Sequence, residues 1–575
     1  AITIISMIII VYIFGLFNQL KYGVLLLAII TSINFIYDIY YLIKNRKNIK
    51  LKDKIITPGM IVYICLGILF IIFNKGIVFR EYDEFSHWGL IVKNMFYNGS
   101  FGTDSIIGYS EYPPFVSVFQ YILLNLKRAY SEDTIIIGLN LLYLSFIMPV
   151  FKNIKWNKSL INLIIIIPMI ILIPILFYID FYTTLFIDGF LSVLMAYTIC
   201  SWFMQKGKEK YITTTLGFIA LILTKSIGIA FVLCSAFIII ICEICNKRES
   251  RKKEIIRIII MILVALILYA TWQIKLKVDN AHEKWGVNEI NISNIIEVIK
   301  GEGEYYQKTT IKKFIEEVFI NDGSLTFLNM NVINLLMFFI AVDIGLYILL
   351  RNKERKKQFI IISITLLVFW GSYIVTLLLV YLFIFTPEEA MMLACFSRYI
   401  STIPLTIILT NIVFLIENYN KNRWKVQYVI VSLCVLLSCV PTYEYNENYI
   451  KNNKNKQDRL GYREQYQGIL KYSDSMDVND KIYYINNFVD ERDIIVVKYE
   501  FLPFNIANEN SKITVTKEEF LEELRAGNYT HIYIRKTDRI LEGEFKDLFI
   551  NGEIKDNTMY QIIKNERVEI LFQEM

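Results

Sequence analysis

FIIISITLLVFWGSYIVTLLLVYLFI, residues 359–384, contains no Asp, Glu, Lys, Arg or His over 26 positions. At about 1.5 Å per residue such a helix is long enough to cross a hydrocarbon layer of ~30 Å. It is read as a membrane span. Further runs of this kind occupy 55–79, 160–178, 226–245 and 329–350. The chain of 575 residues is 55% hydrophobic with a mean hydropathy of +0.44, more apolar surface than a soluble core of this size can bury, so most of the excess must face lipid.

The basic residues orient these spans. Lys and Arg number six in 44–54, three in 152–159, three in 205–210, six in 246–257, five in 351–358 and three in 418–425. The positive-inside rule places all six loops in the cytoplasm. The net charge of +6 is therefore explained by orientation, and no nucleic-acid-binding motif accompanies it. Consecutive cytoplasmic loops require an even number of crossings between them. FVSVFQYILLNLK, Phe115 to Lys127, is too short to span and is expected to be re-entrant or to lie on the outer surface. The 35 residues from Tyr211 to Cys245 break at Thr224-Lys225-Ser226 into two crossings.

The expected fold is an α-helical integral membrane protein of about 13 spans: 1–18, 24–43, 55–78, 134–151, 160–178, 189–204, 211–223, 226–245, 258–274, 329–350, 359–384, 399–417 and 426–440. The amino terminus is cytoplasmic and the carboxyl terminus extracytoplasmic. The polytopic domain covers 1–440, with a first outer loop at 79–133 and a large one at 275–328, and residues 441–575 form a small extracytoplasmic α/β domain. Within the latter, KIYYIN (481–486), DIIVVKY (493–499), THIYIRK (530–536) and VEILF (568–572) read as strands, and KEEFLEELRAG (517–527) reads as a helix. That domain is expected to support the site or guide an acceptor.

Chemistry concentrates after the third span, in REYDEFSHWGLIVKNMFYNGSF, Arg80 to Phe101. Asp83, His87 and Asn94 recur at helical spacing opposite Phe85, Trp88, Val92 and Phe96, predicting an amphipathic helix in the interface. Acidic residues favour a helix start, which explains one carboxylate but not Asp83 and Glu84 followed by His87 one turn on. Lys225 and Arg398 fall at the outer ends of apolar runs. An ionisable side chain well inside hydrocarbon costs roughly 2.5 to 3.5 kcal/mol, less where it snorkels to the interface. Asp188 opens a span as either a cap or a contact residue. Glu388 and Glu389 read as a solvated loop face. Trp272 and Trp285 fit an aromatic belt, and His282 and His531 lack partners by spacing.

DEFSH (83–87) resembles the first outer loop of the GT-C superfamily, multispanning glycosyltransferases that use polyprenyl-phosphate or polyprenyl-diphosphate sugars, where an Asp-Glu-x-x-His pattern follows a span. EYPPF (111–115) is similar to that family's Tyr-Pro-Pro, DGFLSVLMAY (188–197) to its Asp-led leucine-rich span, LTKSIGIAFVL (223–233) to its Thr-Lys-x-x-Gly turn, and SRYISTIP (397–404) to its Arg-Tyr-x-x-x-x-Pro span start. The resemblance extends over 55–420. It implies an inverting transferase that moves a sugar from a polyprenyl-phosphate carrier to a cell-surface glycan or lipid-linked acceptor. The alternatives are a polymerase or ligase using polyprenyl-diphosphate oligosaccharides, or a lipid or glycan transporter. The outer loop 275–328 has lysines and no arginine, which favours transfer of a single sugar.

Attack by a hydroxyl on an anomeric carbon needs a proton acceptor, and a departing lipid phosphate needs cations or hydrogen-bond donors. The catalytic candidates are Asp83 as base, Glu84 as its substitute or an acceptor contact, and His87 as an orienting or phosphate-contacting group. Lys225, Arg398 and Tyr399 are the donor phosphate candidates. Glu111, Tyr112 and Asp188 are the substrate candidates. No cofactor is assigned, and a divalent metal stays open because His87 with two carboxylates is an incomplete ligand set.

Overall fold

The computed structural model describes residues 1–44, 56–103, 110–152, 154–156, 161–245, 251–281, 290–419, 463–464, 466–488, 492–564 and 570–575. Its helices are α1 (Ile2–Gly15), α2 (Leu20–Lys44), α3 (Pro58–Asn74), α4 (Gly89–Asn98), α5 (Phe115–Lys127), α6 (Glu132–Ile147), α7 (Ile161–Phe177), α8 (Asp188–Met204) and α9 (Gly207–Ile222). They continue with α10 (Gly228–Cys245), α11 (Arg251–Val278), α12 (Ile292–Ile299), α13 (Tyr305–Phe319), α14 (Val332–Leu349), α15 (Lys353–Phe383), α16 (Pro387–Met392), α17 (Phe396–Ile400) and α18 (Thr402–Tyr419). Among the described residues, seven helices are long and apolar enough to cross a membrane. The first twelve expected spans each coincide with helix, and the thirteenth, 426–440, lies outside the described residues. The chain is a multi-pass helical membrane protein.

The helix starts follow from local chemistry. Thr57 precedes Pro58 and accepts the Met60 N–H at 3.2 Å, while Asn331 and Asn352 cap α14 and α15. α8 is buried along almost its whole length and packs against α9 and α18 at the centre of the bundle. α11 and α14 expose Ile267, Ile274, Ile344 and Ile348 instead, the surface expected of lipid-facing helices.

The two ends of α8 differ in chemistry. Asp188 lies at its first residue, and its last turn meets the basic loops: the Arg355 guanidinium donates to the Phe203 carbonyl at 3.2 Å, and Lys152 pairs with Glu209 at 3.1 Å. The 17 residues between them set these ends about 25 Å apart.

Two outer-loop expectations are corrected. The segment after α3 is buried on all sides from Glu84 to Met95, so it is not an interfacial helix with a wet face. The carboxyl-terminal domain covers it. α5 is likewise buried over most of its length, packed on α6, so of its two expected placements, re-entrant or on the outer surface, the second does not hold.

In that terminal domain, β1 (Lys481–Asn486), β2 (Asn505–Ile506), β3 (His531–Lys536), β4 (Thr558–Lys564) and β5 (Ile570–Glu574) form one sheet in the order β2-β1-β3-β4-β5. β1 runs parallel to β2 and β3, and the remaining pairs are antiparallel. The expected strand at 493–499 is instead helix α19 (Arg492–Phe501), and 517–527 is helix α20 (Lys517–Ala526) as expected. Parallel neighbours need a crossover, and α19 supplies the one between β1 and β2. Side-chain alternation divides the sheet. Ile482 and Tyr484 join the core continuous with the membrane helices, and Tyr483 and Ile485 pack with Phe520 and Leu524 of α20.

Candidate active site

Four charged side chains from four separate segments meet at one end of the bundle. Asp83 precedes a π-helical turn, Glu84–Trp88, which runs directly into α4. Its Oδ2 lies 2.7 Å from Arg398 Nη1. Asp188 Oδ1 accepts from Lys225 Nζ at 2.7 Å, and its Oδ2 lies 3.3 Å from Arg398 Nε. The latter contact is an ion pair without hydrogen-bond alignment, so the buried Nε–H has no aligned acceptor among the described residues.

Aromatic rings complete the cluster. The Tyr399 ring lies 5.3 Å from both the Lys225 ammonium and the Arg398 guanidinium, and the Phe186 ring lies 4.2 Å from that guanidinium. Tyr178 donates to the Arg398 carbonyl at 3.0 Å. Phe186 and Tyr178 escaped the sequence reading because single aromatics in a chain this aromatic carry no distinguishing pattern.

Local backbone explains how these groups converge. Lys225 sits in the break between α9 and α10, where a Cβ on Gly228 would fall 2.0 Å from the Leu221 carbonyl oxygen, so the turn closes only around glycine. Leu393 and Cys395 adopt left-handed φ of +51° and +60° between α16 and α17, turning the chain towards Arg398. Burial raises the Asp83 carboxyl, and the Arg398 guanidinium, His87 and Lys225 more than offset this, holding it below the usual carboxylate range.

Glu84 is engaged differently. One oxygen accepts the N–H groups of Arg80 and Glu81 at 2.7 and 2.9 Å, and the other accepts that of Leu185 at 3.1 Å. It ties the Asp83 turn to the loop before α8. His87 is buried, bonded through Nδ1 to Ser86 Oγ at 2.7 Å, and its ring lies 5.4 Å from that of Tyr112, which stacks on Trp88 at 4.7 Å.

Trp272 is buried and donates its indole N–H to the Glu111 carbonyl at 3.0 Å, so it is not part of an aromatic belt. Trp285 and His282 lie outside the described residues. His531 does have a neighbour, Thr530 Oγ1 at 2.8 Å. Glu389 closes a capping box with Thr386, consistent with an exposed loop face.

Two cavities open beside the cluster. One, of about 400 Å³, has Lys225, Tyr399, Glu111 and Tyr112 at its head and Tyr269, Leu276, Tyr373, Leu377 and Val380 of α11 and α15 along its walls. The other, of about 540 Å³, reaches Arg398 past Tyr178, Asp180, Phe186, Lys313, Glu317 and Ser397. Among the described residues no three His, Cys, Asp or Glu side chains gather as a metal-binding group. Asp83 and Asp188 already face two cations, so this donor set does not fit a divalent ion.

A multi-pass helical membrane protein with a paired-charge site at one end of the bundle is the class these features define. No family model and no curated protein matches the chain. Among solved structures it is similar to the Archaeoglobus fulgidus oligosaccharyltransferase, crystallised tethered to an acceptor peptide containing the NVT sequon. The TM-score is 0.40 at 11% identity, covering 89% of this chain and 74% of that one.

Proposed function

We propose that the chain is a GT-C-type membrane glycosyltransferase that transfers a sugar from a polyprenyl-phosphate carrier to a glycan or lipid-linked acceptor at the outer membrane face. The observation that carries this reading is the Asp83–Arg398–Asp188–Lys225 cluster, whose Lys225 lines an apolar cavity walled by α11 and α15 and whose Arg398 lines the second cavity. A polyprenyl chain fits such walls, and its phosphate meets Lys225, which Asp188 joins to the Arg398 guanidinium. The cavity past Asp180, Lys313 and Glu317 is the more polar route and suits an acceptor rich in hydroxyls.

In this reaction the acceptor oxygen attacks the anomeric carbon while its proton passes to Asp83. The bond from that carbon to the phosphate oxygen breaks, and the electron pair stays on the phosphate, where Lys225 and Arg398 stabilise it. A single displacement inverts the anomeric centre. Before the donor binds, Arg398 depresses the basicity of Asp83. A phosphate that draws the guanidinium towards itself restores it, so the base becomes competent when the donor is present. Glu84, with its oxygens on backbone N–H groups, is assigned to anchoring the turn rather than to proton transfer.

Incubating the purified protein with a panel of polyprenyl-phosphate sugars and measuring sugar loss from the lipid tests the activity. No loss from any member would defeat it. Lys225→Ala should raise the KM for the lipid donor by on the order of tenfold to a hundredfold, the worth of a charged hydrogen bond, while insertion stays normal. An unchanged donor KM removes Lys225 from the phosphate site.

Orientation follows from the basic loops at the far end of α8. A tag after Met575 should be accessible on intact cells, and a cysteine placed in 351–358 should not be. Labelling of that cysteine from outside would put the proposed site on the cytoplasmic face.

A further inference from the structure

The Asp83 turn is held from the carboxyl-terminal domain by a second group of buried charges. Arg463 donates from Nη1 and Nη2 to the two oxygens of Glu132 at 2.7 and 2.8 Å, and from Nε to Glu500. Tyr499 of α19 donates to Glu132 Oε1 at 2.6 Å. The same Glu132 accepts the backbone N–H of Phe79 at 2.6 Å, four residues before Asp83. From the other side, Lys93 of α4 reaches the carbonyls of Tyr499 and Glu500 at 2.6 and 3.2 Å, supplying the last turn of α19 with a donor it cannot find within the helix.

Packing makes this linkage stiff. The Tyr499 ring lies 5.7 Å from Phe79 and 5.2 Å from Phe85, the residues on either side of Asp83. A Cβ on Gly89 would fall 2.2 Å from the Phe79 ring and 2.5 Å from the Glu84 carbonyl oxygen, so Phe79 and the π turn close on each other without slack. Displacing Glu132 therefore moves Phe79, and displacing Phe79 moves the turn that carries Asp83.

We propose that Arg463 and Glu132 are positioning residues through which the carboxyl-terminal domain fixes Asp83 for proton transfer. The proposal rests on the reading of Asp83 as the base. Neither residue touches substrate. Arg463 holds Glu132 by both oxygens, Glu132 holds the Phe79 amide, and Glu84 fixes the remaining backbone up to Asp83. A fork of this geometry cannot be reproduced by lysine, although the charge can.

Full-length Arg463→Lys and the milder Tyr499→Phe are to be compared with wild type for turnover per donor-binding site, using a radiolabelled polyprenyl-phosphate sugar to count sites. Arg463→Lys should lower kcat by about 10- to 100-fold, the effect of a small misplacement of a reacting group, with donor KM nearly unchanged. Tyr499→Phe should lower it less. Combined with Asp83→Asn, Arg463→Lys should slow turnover no further, because the group it positions is already gone. A domain contact that only stabilises the fold would reduce the number of sites, leave kcat per site intact, and multiply with Asp83→Asn. Normal kcat per site in both single variants, beside an inactive Asp83→Asn, overturns the positioning role alone. Normal turnover in Asp83→Asn overturns the reading of the base as well.

Discussion

Asp83→Asn is expected to insert, fold and bind the lipid donor, and to lose turnover by roughly 10² to 10⁴, the usual contribution of a positioned general base. Asparagine keeps the size of the side chain and an oxygen for Arg398, so the ion pair becomes a hydrogen bond rather than a cavity. What it cannot do is accept the acceptor's proton. Glu84→Gln should act otherwise: the amide retains one acceptor oxygen but replaces the other, which now meets a backbone N–H of Arg80, Glu81 or Leu185. Its loss should therefore appear first as lower thermal stability of the purified protein, with turnover reduced less than in Asp83→Asn. If Asp83→Asn turns over normally while Glu84→Gln is inactive, the roles are reversed. If neither is impaired, the cluster is not the catalytic centre.

Arg398→Met should be the second most damaging substitution, with turnover down by on the order of 10² to 10³, because it would remove the cation proposed for the leaving phosphate and a counter-charge from Asp83 and Asp188 at once. The pH profile gives the sharper measurement. In the wild type Asp83 lies below the ordinary carboxylate value and is ionised across the working range, so it places no acid limb near neutrality. Without Arg398, burial is opposed only by His87 and Lys225, and the Asp83 pKa rises. Turnover needs the ionised form, so the variant's residual activity should fall as the pH falls through that raised value. The folding contribution of the pair has the same sign. A depressed folded pKa stabilises the native state above the unfolded value of about 3.9, and that stabilisation is lost as pH falls towards the folded value. An Arg398→Met profile parallel to the wild type would show that Arg398 does not tune Asp83.

The membrane helices were legible because length and apolarity alone specify a span, and the basic loops between them are short. Lys225 and Arg398 were legible as candidates for a related reason, since charge beside hydrocarbon is costly and each stood at the end of an apolar run, whereas Asp83 was marked by the spacing of DEFSH and Tyr399 by its place beside Arg398. Their convergence was not legible. Four segments far apart in sequence meet only through packing of α8, α9, α10 and α18, which no spacing rule encodes.

The misread elements have equally physical causes. Residues 493–499 are apolar and β-branched, and over so short a run helix and strand periodicity cannot be separated. Only the parallel pairing of β1 with β2 requires a helix there. Trp272 looked like an interfacial anchor because its partner, the Glu111 carbonyl, is backbone and leaves no mark in the sequence. Glu132 stands at an acidic helix start and Arg463 in a polar stretch, and no motif singles out either. Their pairing across the two domains is a tertiary fact.

The cluster at Asp83 balances two carboxylates against one guanidinium and one ammonium, so without substrate it is electroneutral. Proton uptake breaks that symmetry. In the proposed reaction Asp83 becomes neutral on taking the acceptor's proton, and the pocket would gain an excess positive charge just as the carrier changes from a singly charged diester to a monoester of about −1.5 to −2. Deprotonating the nucleophile and neutralising the leaving group are then one event seen from two ends. When Asp83 later yields the proton to water, the excess disappears and the grip on the phosphate loosens. On the proposed mechanism, discharge of the spent carrier would thereby be tied to discharge of a proton, and a more alkaline medium at the site would favour both.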